Sequence, residues 1–357
     1  MTPERFRQIL THADRSLSGC AWRVVLETIR PFYALGVWWR NRQFDRRPGK
    51  IFHASVPVLS VGNLTLGGTG KSPAVRWFVR EFQRLGLKPA VLSRGYKAKK
   101  QAQADPGEIL NDEGREMARL LPGVPLLQNP NRCESAEKAV QEFGAQVLVL
   151  DDGFQHRKLF RNLDVVLIDA DEPFGLTGRL FPCGTLREPA AGFRRADVLM
   201  LTHADRLSPR ERHTLREEID QRFPAGKNRL WIETVHKPVG FVDAAGNPLE
   251  LAKDGHYGAF CGIGKPEGFF RSLEEFGLSP AETKIFPDHH AFSDADVSAL
   301  AEWREKNAFD ALLCTEKDLV KLPESLNARA LRIELEFLNG EEELKKRLTN
   351  FLDPPGV

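Results

Sequence analysis

The sequence has no long apolar run. Near the N-terminus the longest uncharged apolar stretch is Pro31–Trp39, far short of the roughly 20 residues that span a bilayer. Glu4 precedes it and no small-residue cleavage site follows, so neither a membrane span nor a signal peptide is expected and the chain is read as cytoplasmic. Charge of one sign is also missing: 51 Lys and Arg stand against 49 Asp and Glu, a net charge of +2. With no global field to attract it, nucleic acid is not expected as a partner, and charge has to be read locally. Cysteine is scarce. Cys20, Cys133, Cys183, Cys261 and Cys314 form no CxxC pair and no zinc spacing, which fits free thiols in a reducing compartment. Internal repeats and low-complexity tracts are absent as well.

A strand–helix rhythm is present. Apolar runs at 56–61, 89–92, 124–127, 146–150, 164–168 and 197–201 read as buried strands, most of them separated by amphipathic stretches such as 73–85 and 133–143. Short continuous Val/Leu strands alternating with helices are the pattern of a parallel sheet covered on both faces, so the fold class is α/β. GFVDAAGNPLEL at 239–250 carries a Gly-Asn-Pro turn between apolar runs and reads as a hairpin. The rhythm restarts with YGAFCGIG, a helix near 266–276, KIF, a helix near 294–306 and ALLCT. The expected organisation is a helical segment at 1–44, a nucleotide-binding domain at 45–238, a hairpin linker at 239–256 and a smaller α/β domain at 257–357.

The strand VPVLSV runs into GNLTLGGTGKSP and then into a helix. Glycines let successive backbone N–H groups curl around phosphate oxygens, and the helix N-terminus adds partial positive charge. Gly67, Gly68, Thr69, Gly70, Lys71 and Ser72 are the expected ATP-binding residues. Lys71 reaches the β- and γ-phosphates and the Ser72 hydroxyl ligates Mg²⁺. The common pattern places a further Gly where this chain has Thr65. A Mg²⁺-nucleotide site also needs a carboxylate at the end of a neighbouring strand; Asp151 and Asp152 follow QVLVL directly, in a Walker B arrangement. Arg94, Lys97, Lys99 and Lys100 form a basic loop that serves either as a ligand-binding edge or as a solvated charge run. Asp112 opens a helix, where an acidic cap is an equal reading, and FPDHHAF at 286–292 holds an Asp and two His after a strand.

The ordered motifs GNLTLGGTGKSP, SRGY, NDEG, DDGFQH, GTLREP, CGIGKPEGFF, FPDHHAF and TEKD, from about residue 18 to residue 322, resemble those of the tetraacyldisaccharide 4'-kinases. Those enzymes transfer the γ-phosphate of ATP to the 4'-hydroxyl of the lipid A precursor disaccharide. The resemblance implies two α/β domains facing a cleft, a peripheral position on the cytoplasmic face of the inner membrane, and ATP with Mg²⁺. By motif position it implies Asp112 as the acid acting on the acceptor hydroxyl, with His289 as its partner and His290 as the alternative. Asp151 and Asp152 then match the Mg²⁺ acids, and Arg94, Arg132, His156, Arg187 and Glu188 the substrate-lining positions. Gly114 stands where the family usually has Pro, which leaves the backbone around Asp112 open. On the expected boundaries Asp112 and His289 lie in different domains, so their pairing requires cleft closure.

Two other readings compete. A P-loop switch NTPase or metallochaperone needs a second loop Lys, where this chain has Leu66, and an Asn-Lys-x-Asp element, where it has Thr202-His203-Ala204-Asp205. A nucleotide-binding membrane protein without catalysis would not need Asp112 or His289. Finally, Trp22, Val25, Leu26, Ile29, Phe32 and Tyr33 recur at steps of three and four, with a break expected at Pro31, and Trp38 and Trp39 follow among arginines. This helix is expected to rest on an anionic membrane surface; the alternative is a core helix with buried tryptophans.

Overall fold

A computed structural model describes residues 3–95, 112–225, 228–288 and 290–352. The chain begins with α1 (Pro3–Leu10), α2 (Leu17–Arg46), β1 (Val58–Asn63), α3 (Lys71–Arg84), β2 (Pro89–Ser93), α4 (Asp112–Leu120), β3 (Leu126–Gln128) and α5 (Arg132–Phe143). It continues with β4 (Val147–Asp151), β5 (Leu163–Asp169), β6 (Val198–Thr202), α6 (Pro209–Arg222), β7 (Leu230–Val242) and β8 (Pro248–Leu249). Then come β9 (Tyr257–Cys261), α7 (Pro266–Glu275), β10 (Glu282–Ile285), α8 (Asp294–Lys306), β11 (Ala311–Thr315), α9 (Glu316–Leu319), β12 (Ala328–Asn339) and α10 (Glu341–Leu352).

These elements form two compact units: Met1–Ser93 with Asn131–Val235 and Phe337–Val357, and Arg94–Pro130 with His236–Glu336. The division departs from the contiguous boundaries expected above. Residues 94–130, including α4, group with the C-terminal unit, so Asp112 and the 286–292 segment belong to one unit and not to different domains.

In the first unit the strands run β7-β6-β5-β1-β4-β2, each neighbouring pair parallel. Every residue of β1, β2, β5 and β6 is buried, which is why these segments read as unbroken apolar runs. Because the strands are parallel, five of them end at one edge with a polar residue: Asn63, Ser93, Asp151, Asp169 and Thr202. That edge is where ligands of open α/β sheets bind.

The second unit has the parallel order β10-β9-β11-β12. Phe260, Leu312 and Cys314 pack on one face, while Tyr257, Ala259, Cys261 and Leu313 pack on the other. β8 pairs antiparallel with the end of β7, Phe241 opposite Leu249, closing the hairpin expected there. The Asp243 carboxylate caps its turn, accepting from the backbone N–H of Ala245 and Asn247, each at 2.9 Å.

α2 differs from its sequence reading in two ways. It continues through Pro31 as one helix of 30 residues, because one missing N–H and one displaced carbonyl are tolerated in a helix fastened along its length. Its apolar residues also divide between two faces. Leu26 and Val37 are buried, whereas Phe32, Leu35, Trp38 and Trp39 are exposed, Phe32 by 72% and Trp39 by 61%. A core helix with buried tryptophans is therefore not what forms. Among the described residues no helix is long and apolar enough to cross a membrane.

Candidate active site

β1 ends in the fully buried Asn63, and the chain turns through Gly67 (φ +106°) and Gly70 (φ +75°) into α3. A Cβ would strain both positions, so the curl of the loop depends on glycine there. Lys71 and Ser72 consequently sit in the first turn of α3, where N–H groups have no helical partner and the dipole favours anions. Thr65, the departure from the usual glycine pattern, is extended and bridges Leu186; Asn63 Nδ2 donates to its carbonyl at 3.0 Å. Thr69 is 3% exposed, and its carbonyl accepts from Thr202 Oγ1 at 3.2 Å. Its own hydroxyl is buried without a hydrogen-bond partner among the described residues. An orphaned hydroxyl in a glycine-rich turn fits a phosphate oxygen as the missing partner.

The GTLREP segment grips this loop. Leu66 N–H donates to Thr185 O and Arg187 N–H to Leu64 O, both at 2.7 Å. The pairing delivers Arg187, whose Nη1 donates to the two Asp152 oxygens at 2.8 and 2.7 Å. Lys71 Nζ lies 3.7 Å from Asp152 Oδ1 and donates to Asn63 Oδ1 at 3.4 Å. Burial pushes the Asp152 carboxyl up, but Lys71 and Arg187 together outweigh it and hold the group below its ordinary value. Asp152 is thus an anion at neutral pH, fixed between two cations.

Its backbone is unusual too. Asp152 has φ +54°, a strained angle for a side-chain-bearing residue. Gly153 next to it has no room for a Cβ, which would lie 2.5 Å from Leu150 Cβ. Gly62 is jammed in the same way against Phe154, with 2.7 Å to its Cβ, so β1 and the turn after β4 are locked together. Arg132, buried at the start of α5, has Nη1 3.3 Å from His156 Nδ1 and donates through Nη2 to Asp152 O at 3.4 Å. Asp151 closes β4 opposite Val61 of β1.

Glu188 has a different setting from the other motif residues. Its side chain is 1% exposed, and its oxygens accept from Arg195 Nη2 at 2.8 Å, Gln155 Nε2 at 3.1 Å and Asn41 Nδ2 at 3.3 Å. It ties α2 and the turn after β4 to the GTLREP loop. Arg94 is exposed just beyond β2 and belongs to the second unit. Asp112 opens α4, its side chain lying outside the described residues, as do His289 and the loop lysines Lys97, Lys99 and Lys100.

No group of three or more His, Cys, Asp or Glu among the described residues could hold a metal by itself. Ser72, Asp151 and Asp152 still fit Mg²⁺. They are hard oxygen donors beside the glycine-rich loop, and Mg²⁺ in nucleotide sites takes one or two protein oxygens and completes its shell with phosphate and water.

The sequence pattern of the family described as tetraacyldisaccharide-1-P 4'-kinase matches residues 22–353. The chain belongs to this family. A tetraacyldisaccharide 4'-kinase of Anaeromyxobacter sp. (strain K) is 38% identical over 330 residues, covering 87% of this chain and 85% of the relative. That of Syntrophus aciditrophicus (strain SB) is 36% identical over 335 residues, covering 89% of both. The crystal structure of the "apo" form of LpxK from Aquifex aeolicus in complex with ATP aligns with a TM-score of 0.74 at 29% identity, over 93% of this chain and 99% of that one. The protein is accordingly an ATP-dependent kinase acting in lipid A biosynthesis.

Within this kinase, the Gly at 114 has a local reason. A Cβ there would fall 2.6 Å from Gln128 Nε2, so the glycine leaves space for the Gln128 amide over the start of α4. Three residues that touch this constellation or lie at the same sheet edge were not singled out in the sequence. Gln155, inside DDGFQH, donates to Asn63 O at 2.9 Å and could have been found from its motif. Tyr33, which donates to Arg187 O at 2.9 Å, carries no motif signal. Asp169, 3.3 Å from His203 Nδ1 at the ends of β5 and β6, becomes visible only once the strand order is known.

Proposed function

We propose that this kinase binds ATP over Gly67, Gly68, Thr69, Gly70, Lys71 and Ser72, with its lipid acceptor delivered from an anionic membrane surface beneath α2. The surface is the cytoplasmic face of the inner membrane. The observation that carries the proposal is the double engagement of Arg187: its guanidinium holds Asp152 while its carbonyl accepts the Tyr33 hydroxyl of α2. The helix with the exposed aromatic face is therefore fastened directly to the arginine that holds Asp152.

In the reaction, the 4'-oxygen of the tetraacylated glucosamine disaccharide 1-phosphate attacks the γ-phosphorus. The bond from phosphorus to the bridging oxygen breaks, ADP leaves, and the hydroxyl proton passes to the Asp112 carboxylate, which His289 orients. Lys71 and Arg187 supply fixed positive charge where negative charge spreads over the transferring group. Ser72, Asp151 and Asp152 would hold Mg²⁺, which would supply neutralisation of phosphate charge when bound. Arg132, paired with His156, adds a cation on the Asp152 side, Glu188 keeps the Arg187 loop in register, and Arg94 is assigned to the acceptor.

A tetraacylated sugar leaves a bilayer at about 0.8 kcal/mol per exposed CH₂, so the enzyme has to meet it at the surface. Trp38 and Trp39 are exposed by 53% and 61%, and Arg42 stacks over Trp38 at 5.1 Å, a composition suited to headgroups. Replacing both tryptophans with Ser should weaken flotation with anionic vesicles and raise the apparent KM for the lipid acceptor, with ATP binding and the unfolding midpoint unchanged. Unaltered flotation would refute the membrane role, and loss of folding would return α2 to the core.

A further inference from the structure

The TEKD segment, Thr315–Asp318, has no role in the site as described, yet it lies against two elements that do. α9 packs against α4, the helix opened by Asp112. Asp318 at its centre is fully buried and accepts from Thr315 Oγ1 at 2.7 Å and from Gly262 N–H at 3.0 Å. Lys321 Nζ, its side chain 8% exposed, lies 3.6 Å from Asp318 Oδ1 and donates to His290 O at 3.2 Å. Phe286, Pro287 and His290 of the FPDHHAF segment close on the same point. Phe286 N–H donates to Cys261 O at 2.8 Å and His290 N–H to Pro287 O at 3.1 Å. A Cβ on Gly262 would meet Asp318 Oδ1 at 3.2 Å, with His290 Cβ and Pro287 O each at 3.3 Å. Carboxylate, glycine and loop are therefore packed without slack.

We infer that the buried Asp318–Lys321 pair is a positioning device for phosphoryl transfer, holding Pro287 and His290 in fixed relation to α4 and its first residue, Asp112. The two elements come from distant parts of the sequence and both lean on α9. A charged pair inside a protein is poor support for stability as such but holds geometry well, because each partner tolerates few arrangements of the other. Lys321 transmits the constraint through the His290 carbonyl, and Asp318 through the Gly262 N–H at the end of β9. Neither side chain is assigned contact with ATP or acceptor. The inference rests on the reading of Asp112 as the residue that takes the acceptor proton.

The test uses the full-length enzyme in mixed micelles with the lipid acceptor. Asp318→Asn retains the shape and an acceptor oxygen but removes the charge facing Lys321; Lys321→Met removes the other partner, and Lys321→Arg restores a cation. The first two variants should lower kcat by about 10²-fold, the scale on which a misplacement of about 1 Å acts. The KM for ATP and nucleotide affinity should stay at their wild-type values, because the phosphate loop belongs to the other unit. Lys321→Arg should recover most of the loss. In the Asp112→Ala background, Asp318→Asn should add little, since there is no longer a base to place. Wild-type kcat in a folded Lys321→Met, or a full additional loss on top of Asp112→Ala, overturns the inference. If Asp318→Asn does not fold, the Lys321 variants decide. Wild-type turnover by Asp112→Ala itself would instead remove the reading on which the inference rests, and that result is distinguishable from the others.

Discussion

Arg187 is where the proposed mechanism is most exposed to test. Arg187→Ala removes both hydrogen bonds to Asp152 and leaves Lys71, 3.7 Å away, as the cation nearest that carboxylate by direct side-chain contact. A hydrogen bond to a charged group contributes roughly 1.5–3 kcal/mol. Here the two side chains are 23% and 36% exposed, so solvent screening brings the stability loss to about 1 kcal/mol. The catalytic loss should be larger, on the order of 10²–10³-fold in kcat, the effect of deleting one preorganised donor to developing charge. A loss of that stability alone would leave nearly all molecules folded, given total stabilities of about 5–15 kcal/mol, so the two roles separate cleanly. The pH dependence has a definite sign. The Asp152 carboxyl is held low, so its contribution is present above the ordinary carboxylate value and lost as pH falls through the folded value. Without Arg187 burial gains ground, and the acid limb of both activity and stability should move to higher pH. Steady-state kinetics and denaturant unfolding across the acid range measure both effects. A folded Arg187→Ala with near wild-type kcat and an unmoved acid limb would refute the reasoning.

Gly153→Ala should destabilise the protein by about 1–3 kcal/mol, the usual cost of overpacking, and depress activity more than that, because the new Cβ lies 2.5 Å from Leu150 Cβ and 2.8 Å from Ser60 Oγ, beside Asp152; unchanged unfolding and turnover would mean that the turn is not locked. The thiols should react in order of exposure: burial and the nearby Asp318 push Cys261 up to about 12 and raise Cys314 well above the ordinary thiol value, whereas Cys20 is exposed. Mass spectrometry after alkylation of the native protein should find Cys20 labelled first and Cys261 and Cys314 only on unfolding.

The parts of the fold that could be read from the sequence were those whose local pattern matches their environment. Strands buried on both faces appear as apolar runs, and β1, β2, β4, β5 and β6 lie within two residues of the positions expected for them. α8 coincides with its expected span because Ser293 and Asp296 form a capping box at its start. Segments whose pattern serves two environments were harder. β12 is largely half-buried and carries charged residues among its apolar ones, so it gave no run to recognise. In α2, one stripe faces the protein while a second faces outward, and a helical period counted along the chain merges them. Grouping residues 94–130 with the C-terminal unit depends on contacts distant in sequence, such as α4 against α9, which no local pattern records. Glycine spacing and strand-end position singled out Lys71, Asp151 and Asp152; the fold brings Lys71 Nζ within 3.7 Å of Asp152 and sets Asp151 at the end of β4. Glu188 has the motif position of a ligand-lining residue, but only its surroundings of Arg195, Gln155 and Asn41 reveal a brace.

The most direct test of the account is to follow the γ-phosphate. Purified protein, incubated with γ-labelled ATP, Mg²⁺ and tetraacyldisaccharide 1-phosphate in micelles, should place the label on the 4'-oxygen of the lipid. Lys71→Ala should lower that transfer by at least about 10²-fold. Label recovered only as inorganic phosphate, or equal transfer by Lys71→Ala, would contradict the account.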